Sequence, residues 1–341
     1  MSDMNYRSWI KERLEIGKEI IYLTREDARN MGVTNQKIID LTEKSMISYS
    51  KKISEMPAKI GIHPYKNTFF HAMPADLPEQ SASGMKWISC FPENQNKFGI
   101  PQTVGLLVYN DRLTGMPLGV MDCVWITEKR TPAAAAVSAK HLANKNADTF
   151  GMIGCGVQGR AHVEIIELVM PNLKTIYIYD IFESAMDKLI KEVQPKVKAK
   201  IVKTKSFEEI VKSAEVIASA TIITEQPEPK IKDEWISKGQ TLLLSDAHSL
   251  YEDQTMKRAD KYILDSIEQH ELLLGHGYYP HGLPKIYAET GEVAAGLKKA
   301  RENKDEFIVV NNIGMAVEDI IVAKEIFDKA LIEGKGIRLP L

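Results

Sequence analysis

The sequence predicts an α/β protein: a Rossmann-type doubly wound parallel sheet plus a smaller α+β domain. Three observations predict it. From residue 149 onward, short apolar runs alternate with helical segments, as in a parallel sheet covered on both faces. The first of these runs leads into Gly154-Cys155-Gly156-Val157-Gln158-Gly159. Before residue 130 the chain reads differently, as helical spacing followed by apolar segments separated by turn signals. A length of 341 residues suits two domains.

The elements follow in order. Helical spacing dominates 25–56, started by Thr24 or the acids at 26–27, with Ile38, Ile39, Leu41, Met46 and Ile47 as its apolar face. Residues 57–80, rich in Pro, His and aromatics, read as short strands and loops. MKWISCF, TVGLLVYN and MPLGVMDCVWIT are apolar stretches, and NDRLTG between the last two reads as a hairpin turn. RTPAAAAVSAKHLANK reads as a helix with Pro132 near its first turn. Then TFGMIG is a buried strand, VQGRAHVEIIELV a helix and KTIYIYD a strand. Residues 183–195 are helical, KAKIVKT is a strand and SFEEIVKSA a helix, and EVIASATI, QTLLLSD and KYILD complete the strand series. Periodicity places a last helix over roughly 314–332, packing back on the first domain. The expected division is 1–129 with 320–341 as the substrate-binding and dimerisation domain, and 130–319 as the nucleotide-binding domain.

Composition narrows the function. Hydrophobic residues at 44% and charged residues at 26% are ordinary for a folded chain and exclude global disorder. Lys and Arg number 44 against 46 Asp and Glu, a net charge of -2, which gives no electrostatic case for nucleic acid or an anionic membrane. No apolar run approaches the roughly 18 residues of a membrane span, and the charged start has no apolar signal-peptide core. The reading is cytoplasmic. Cys90, Cys123 and Cys155 lie far apart without CxxC spacing, and read as buried thiols in a reducing compartment.

The glycine motif has the context that gives it meaning, since it follows an apolar strand and opens a helix. Gly154 permits the tight turn, Gly156 lets backbone approach a pyrophosphate, and Gly159 lets helix and strand pack closely. Val157 and Gln158 begin the helix whose free N–H groups would face the phosphates. Asp180 ends the next strand, about twenty residues on, where an acid binds the adenosine ribose. Ile181, Phe182 and Glu183 after it include no cation for a 2′-phosphate, so NAD is expected rather than NADP. The alternative is a turn without ligand, and an Asp that caps the following helix.

The reacting groups must stand at strand ends or in the other domain. Asp246 ends the strand Gln240–Ser245 and is either a proton acceptor facing the crevice or the cap of the next turn. Lys86 sits inside an apolar strand and either binds a carboxylate or snorkels to the surface. Arg130, at the domain junction, either forks onto a carboxylate or makes a surface ion pair. Lys59 is a weaker third cation. The eight histidines show no HExxH and no helical ligand pair, so no metal is expected.

Taken in order, MPAK, HAMPA, GMKW, the LTGMPL turn, MDCVWITEKRT, IGCGVQGR, WISKGQTLLLSD and IGMAVED cover most of the chain. In this series the sequence resembles the ornithine cyclodeaminase/mu-crystallin family. The resemblance implies a two-domain homodimer acting on an amino acid or cyclic imine with a nicotinamide cofactor. It implies a carboxylate clamp of Lys59, Lys86 and Arg130, with Asp246 assisting proton transfer. Lys59 departs from the family's Arg and loses its rigid fork. His71 replaces a Glu that contacts substrate in ornithine cyclodeaminase. Asn312 stands near a Ser of many members and is expected to contact the cofactor. His63, His71 and the loop 275–282 are expected to select the substrate. The expected reaction is ornithine cyclodeaminase-like, a cyclising deamination. Its alternatives are amino-acid dehydrogenation or reduction of a ketimine or pyrroline-2-carboxylate. A mu-crystallin-like ligand-binding protein is the reading of another class.

Overall fold

The computed structural model describes residues 2–223, 227–247 and 249–341. The chain divides into two compact units, 1–130 with 315–341, and 131–314. Arg130 and residues 315–319, expected in the nucleotide-binding domain, lie in the first unit. The physical reason is that 315–319 open the helix Ala316–Glu333, which packs on the first unit's sheet, and Arg130 pairs with Glu318 and Asp319 of that helix.

The first unit holds β1 (Glu19–Leu23), β2 (Ile60–Ile62), β3 (Phe69–Leu77), β4 (Ala82–Cys90), β5 (Thr103–Asn110) and β6 (Pro117–Asp122). With the C-terminal strand Ile337–Pro340 they form one sheet, in the order C-terminal strand, β1, β6, β5, β4, β3, β2. Only β1 and β6 run parallel. The helix Ala316–Glu333 lies on one face, backed by the helix Asn35–Ser50. Thr24 caps the helix Arg25–Asn30 in a reciprocal box with Asp27, as the sequence suggests.

Strand alternation decides what β4 buries. Lys86 and Ile88 point to the helix-covered face, whereas Met85 and Trp87 are exposed on the other. On that other face Leu106 pairs with Trp87, 45% and 41% exposed respectively, and Phe70 stacks on Trp87.

One expectation fails here. The helix containing Pro132 spans Val124–Leu142, so the proline is internal and the strand ends at Asp122, before CVWIT. The cause is Asp122, whose carboxylate accepts the N–H groups of Val124 at 2.9 Å and Trp125 at 3.4 Å and starts the helix two turns early.

The second unit holds β7 (Thr149–Ile153), β8 (Thr175–Tyr179), β9 (Lys200–Lys203), β10 (Val216–Ser219), β11 (Thr241–Leu244), β12 (Lys261–Leu264), β13 (Ile286–Glu289) and β14 (Ile308–Asn311). All eight are parallel, in the order β13-β12-β14-β11-β10-β7-β8-β9. Successive residues feed opposite cores. Leu243 and Val310 enter one, Leu242, Leu244 and Val309 the other, which is why these strands read as unbroken apolar runs. After β9 the chain returns to the other side of β7, so the winding reverses between β7 and β10. Ligands bind at such a switch point, outside the carboxyl ends of the strands. Among the described residues, no helix is long and apolar enough to cross a membrane.

Candidate active site

The glycine turn and Asp246 lie in the second unit. Gly154 has φ +93°, and a Cβ there would stand 2.7 Å from the Ala220 carbonyl. A Cβ on Gly159 would stand 1.8 Å from the Gly154 carbonyl, so only glycine allows this helix to approach its strand. Gly156 differs, because a Cβ there would meet nothing within 4 Å. The space beside it is open, as a phosphate cradle requires. Gly156 is also the cap of the helix Val157–Ile166, and no side chain caps that N-terminus. The residues thus fit a dinucleotide on geometric grounds.

Asp180 accepts the Cys155 N–H at 2.7 Å on Oδ2 and the Phe182 N–H at 2.9 Å on Oδ1. It therefore fastens the glycine turn and the start of the next segment. Each carboxylate oxygen carries two lone pairs, which leaves capacity for ribose hydroxyls.

Asp246 follows β11 and is wholly buried. Its Oδ1 accepts the Ser219 hydroxyl at 2.7 Å, and its Oδ2 accepts the Thr221 hydroxyl at 2.8 Å and N–H at 3.1 Å. These donors come from the end of β10, so the side chain is held by the neighbouring strand end. Burial pushes its carboxyl above the usual range, against the pull of these hydrogen bonds. Ser219 and Thr221 carried no motif that would single them out. Asn312 follows β14, where its Nδ2 donates to the Ser138 hydroxyl at 3.3 Å. Its Oδ1 is buried with no hydrogen-bond partner among the described residues.

A cluster of buried cations lies in the first unit. Lys86 and Arg130 are both buried, which discards the surface alternatives for each. Lys86 Nζ meets Asp319 Oδ2 at 2.6 Å. Arg130 places Nε 3.1 Å from Asp319 Oδ1 and Nη1 3.0 Å from Glu318 Oε2. Two cations thus face two carboxylates from the first turn of the helix Ala316–Glu333. Burial pushes the Lys86 ammonium down, and Asp319 opposes that shift. Cys123 borders the cluster, and burial pushes its thiol up to about 12. Burial moves Cys155 the same way, whereas Cys90, expected to be buried, is half-exposed because it ends its strand.

The register pairs Met73 with Lys86 and His71 with Ile88, so His71 shares the Lys86 face of the sheet. Its ring stacks on Phe69 at 3.9 Å and meets His63 edge-on at 6.0 Å. Lys59 precedes β2 and is buried. Glu318 and Asp319 escaped the sequence reading. In the string AVED they look like ordinary first-turn acids, and nothing local shows that Arg130 and Lys86 are their partners.

The family model for the ornithine cyclodeaminase/mu-crystallin family matches residues 21–334. The nodulation efficiency protein NfeD of Rhizobium meliloti is 32% identical, over 92% of this chain and 97% of the relative. The alanine dehydrogenase of Archaeoglobus fulgidus is 29% identical, over 94% and 98%. Among solved structures, the Δ1-pyrroline-2-carboxylate reductase of Thermococcus litoralis with NADH and L-proline superposes with a TM-score of 0.83. It is 28% identical and covers 93% of this chain and 99% of its own. With that model matched over nearly the whole chain and a relative above 30% identity along almost its full length, the chain belongs to the ornithine cyclodeaminase/mu-crystallin family.

Proposed function

We propose that the protein is an NAD(H)-dependent oxidoreductase that acts at the nitrogen-bearing carbon of a small amino acid or cyclic imine. The observation that carries this reading is the buried cluster in which Lys86 and Arg130 stand together, held by Asp319 and Glu318. Two cations brought together in an apolar setting are costly unless anions face them. An ammonium and a guanidinium so paired suit a substrate carboxylate.

NAD(H) is the cofactor. Asp180 and its cation-free neighbours favour it, relatives include dehydrogenases and reductases, and a solved neighbour holds NADH. Bound there, it supplies two-electron exchange with the substrate's α-carbon. The protein's residues do the rest. Lys86 and Arg130, with Lys59, hold the substrate carboxylate and fix the α-carbon. Asp246, its acid form favoured by burial, gives a proton to the imine nitrogen in reduction and takes it back in oxidation. Asn312 offers its unpartnered Oδ1 to the nicotinamide carboxamide. Reduction consumes one imine, one NADH and one proton, and yields one amine and one NAD+.

Net redox is favoured over cyclising deamination of ornithine. The latter needs an anion for the distal ammonium, and the position where the family's cyclodeaminases carry Glu is His71 here. The curated relatives at 26–29% identity include an alanine dehydrogenase and pyrroline-2-carboxylate reductases. The working form is a homodimer through the apolar sheet face bearing Met85, Trp87, Val104 and Leu106, a patch that a lone chain would leave in water.

The test is absorbance of reduced nicotinamide with a panel of alanine, proline, ornithine, lysine and cyclic imines, with ammonia assayed in parallel. Stoichiometric change in NADH is the expected result. Ammonia and a cyclic product without net NADH would establish cyclodeamination instead. NADH binding without turnover of any member would favour a ligand-binding role.

A further inference from the structure

Three adjacent strands, β12, β14 and β11, end beside one another, and just beyond their ends stand Asp265, Asn312 and Asp246. Asp265 has no part in the chemistry above, yet it is buried and fully engaged. Its Oδ2 accepts the N–H groups of Ile313 at 2.7 Å and Gly314 at 2.6 Å. Its Oδ1 accepts the Ser266 N–H at 2.9 Å and stands 3.1 Å from His270 Nε2. That ring nitrogen also faces the Asn311 carbonyl at 3.1 Å. With two acceptors before it, Nε2 carries the proton, and Nδ1 is left to accept. The Tyr279 hydroxyl lies 2.6 Å from Nδ1. Burial holds that phenol well above its ordinary range, so it remains an O–H donor.

A run of hydrogen bonds thus goes from Tyr279 through His270 and Asp265 to the backbone that follows Asn312. The Tyr279 ring adds a second connection. It belongs to a small apolar cluster with Ala247 and Leu273, against which Tyr278, Leu283 and Ile313 pack. Ala247 immediately follows Asp246 and has φ +55°, a conformation an alanine holds only when its surroundings impose it. Tyr279 sits in a turn flanked by Gly277 and Gly282, both with positive φ.

We propose that Tyr279 is a positioning residue. Its hydroxyl, through His270 and Asp265, fixes the backbone that presents Asn312, and its ring fixes Ala247 beside Asp246. The turn 277–282 and the two polar groups are then one cooperative element. The catalytic consequence rests on the roles given above to Asp246 and Asn312, but the coupling itself does not.

Hydrogen exchange on the full-length chain tests it. Tyr279→Phe keeps the ring and removes the donor. It should raise amide exchange at 312–314 about tenfold or more, with β7 and β8 unchanged. Coupling is reciprocal, so Asp265→Asn should raise exchange across 277–282 to a similar degree. Per NADH-binding site, Tyr279→Phe should lower kcat about tenfold while the KM of the carboxylate substrate stays within about twofold, because the cation cluster is untouched. Exchange that rises only in the mutated segment, rises everywhere, or rises as expected without loss of kcat would overturn the proposal. Failure of the oxidoreductase reading is seen separately, as a wild-type chain that turns over no member of the panel but still shows the paired exchange changes.

Discussion

Asp319 bridges the two buried cations of the first unit. It meets Lys86 at 2.6 Å through one oxygen and Arg130 at 3.1 Å through the other. A single carboxylate on the last long helix therefore sets the spacing of two groups carried by a strand and by another helix.

Removing that carboxylate should be expensive. Asp319→Ala leaves Lys86 buried without its counter-charge, and breaking such a pair costs about 3–5 kcal/mol. Urea unfolding should show a lower midpoint with an unchanged slope. The double variant Lys86→Met with Asp319→Leu should recover most of that stability and none of the turnover. Recovery of both would mean that Lys86 does not hold substrate.

Asp246→Asn should leave NADH affinity within about twofold and reduce turnover by about 10²–10⁴-fold, the range for a lost general acid–base. Retained turnover measured by NADH absorbance would remove Asp246 from the mechanism.

The same variant makes a statement about pH. Burial raises the folded-state pKa of Asp246 above its ordinary 3.8. The folded chain therefore favours the neutral acid, and that stabilisation is fully present below 3.8 and is lost as pH rises through the folded value. Wild type should lose stability relative to Asp246→Asn as the pH is raised from about 4 towards neutrality. Denaturant titrations of both proteins at several pH values read this directly. A constant difference would mean that the pKa is not raised.

At the glycine turn, Gly159→Ala should abolish NADH binding, since the added carbon would lie 1.8 Å from the Gly154 carbonyl. Asp180→Ala should weaken binding by about tenfold or more through loss of the ribose acceptor, a charge-assisted contact worth roughly 1.5–3 kcal/mol. Fluorescence titration separates the two. Unchanged affinity in Asp180→Ala would undo the ribose assignment.

Trp87→Glu combined with Leu106→Glu places two charges on the exposed apolar face of the first sheet. Sedimentation velocity should show a dimer for the wild type and a monomer for this variant. A dimer that survives both charges would put the interface elsewhere.

What the sequence revealed follows the range of each signal. The turn Gly154–Gly159 was legible because its geometry is made by six consecutive residues. Lys86 was legible because an ammonium in the middle of an apolar strand demands a partner. The partner was not, because Asp319 lies in a distant helix and ion pairing leaves no periodicity. Pro132 misplaced a helix start because the stronger signal, Asp122 capping Val124, lies two turns upstream. The strands β13 and β14 went unread because four-residue strands ending in Glu289 and Asn311 carry little pattern. Tyr279, His270 and Asp265 have no telling spacing, and only the fold brings them together.

The first unit needs both 1–130 and 315–341, whereas the second is the unbroken stretch 131–314. Synthesis from the ribosome meets these requirements in an order opposite to their numbering. The nucleotide-binding unit can fold as soon as it emerges. The earlier-made strands must wait with the 86–130 cations still unneutralised until the helix bearing Glu318 and Asp319, and then the strand Ile337–Pro340 that pairs with β1, have been delivered. A chain ending at residue 314 would therefore hold a finished cofactor-binding unit beside an unfinished sheet, and chaperones would find their client in the amino-terminal third of the chain.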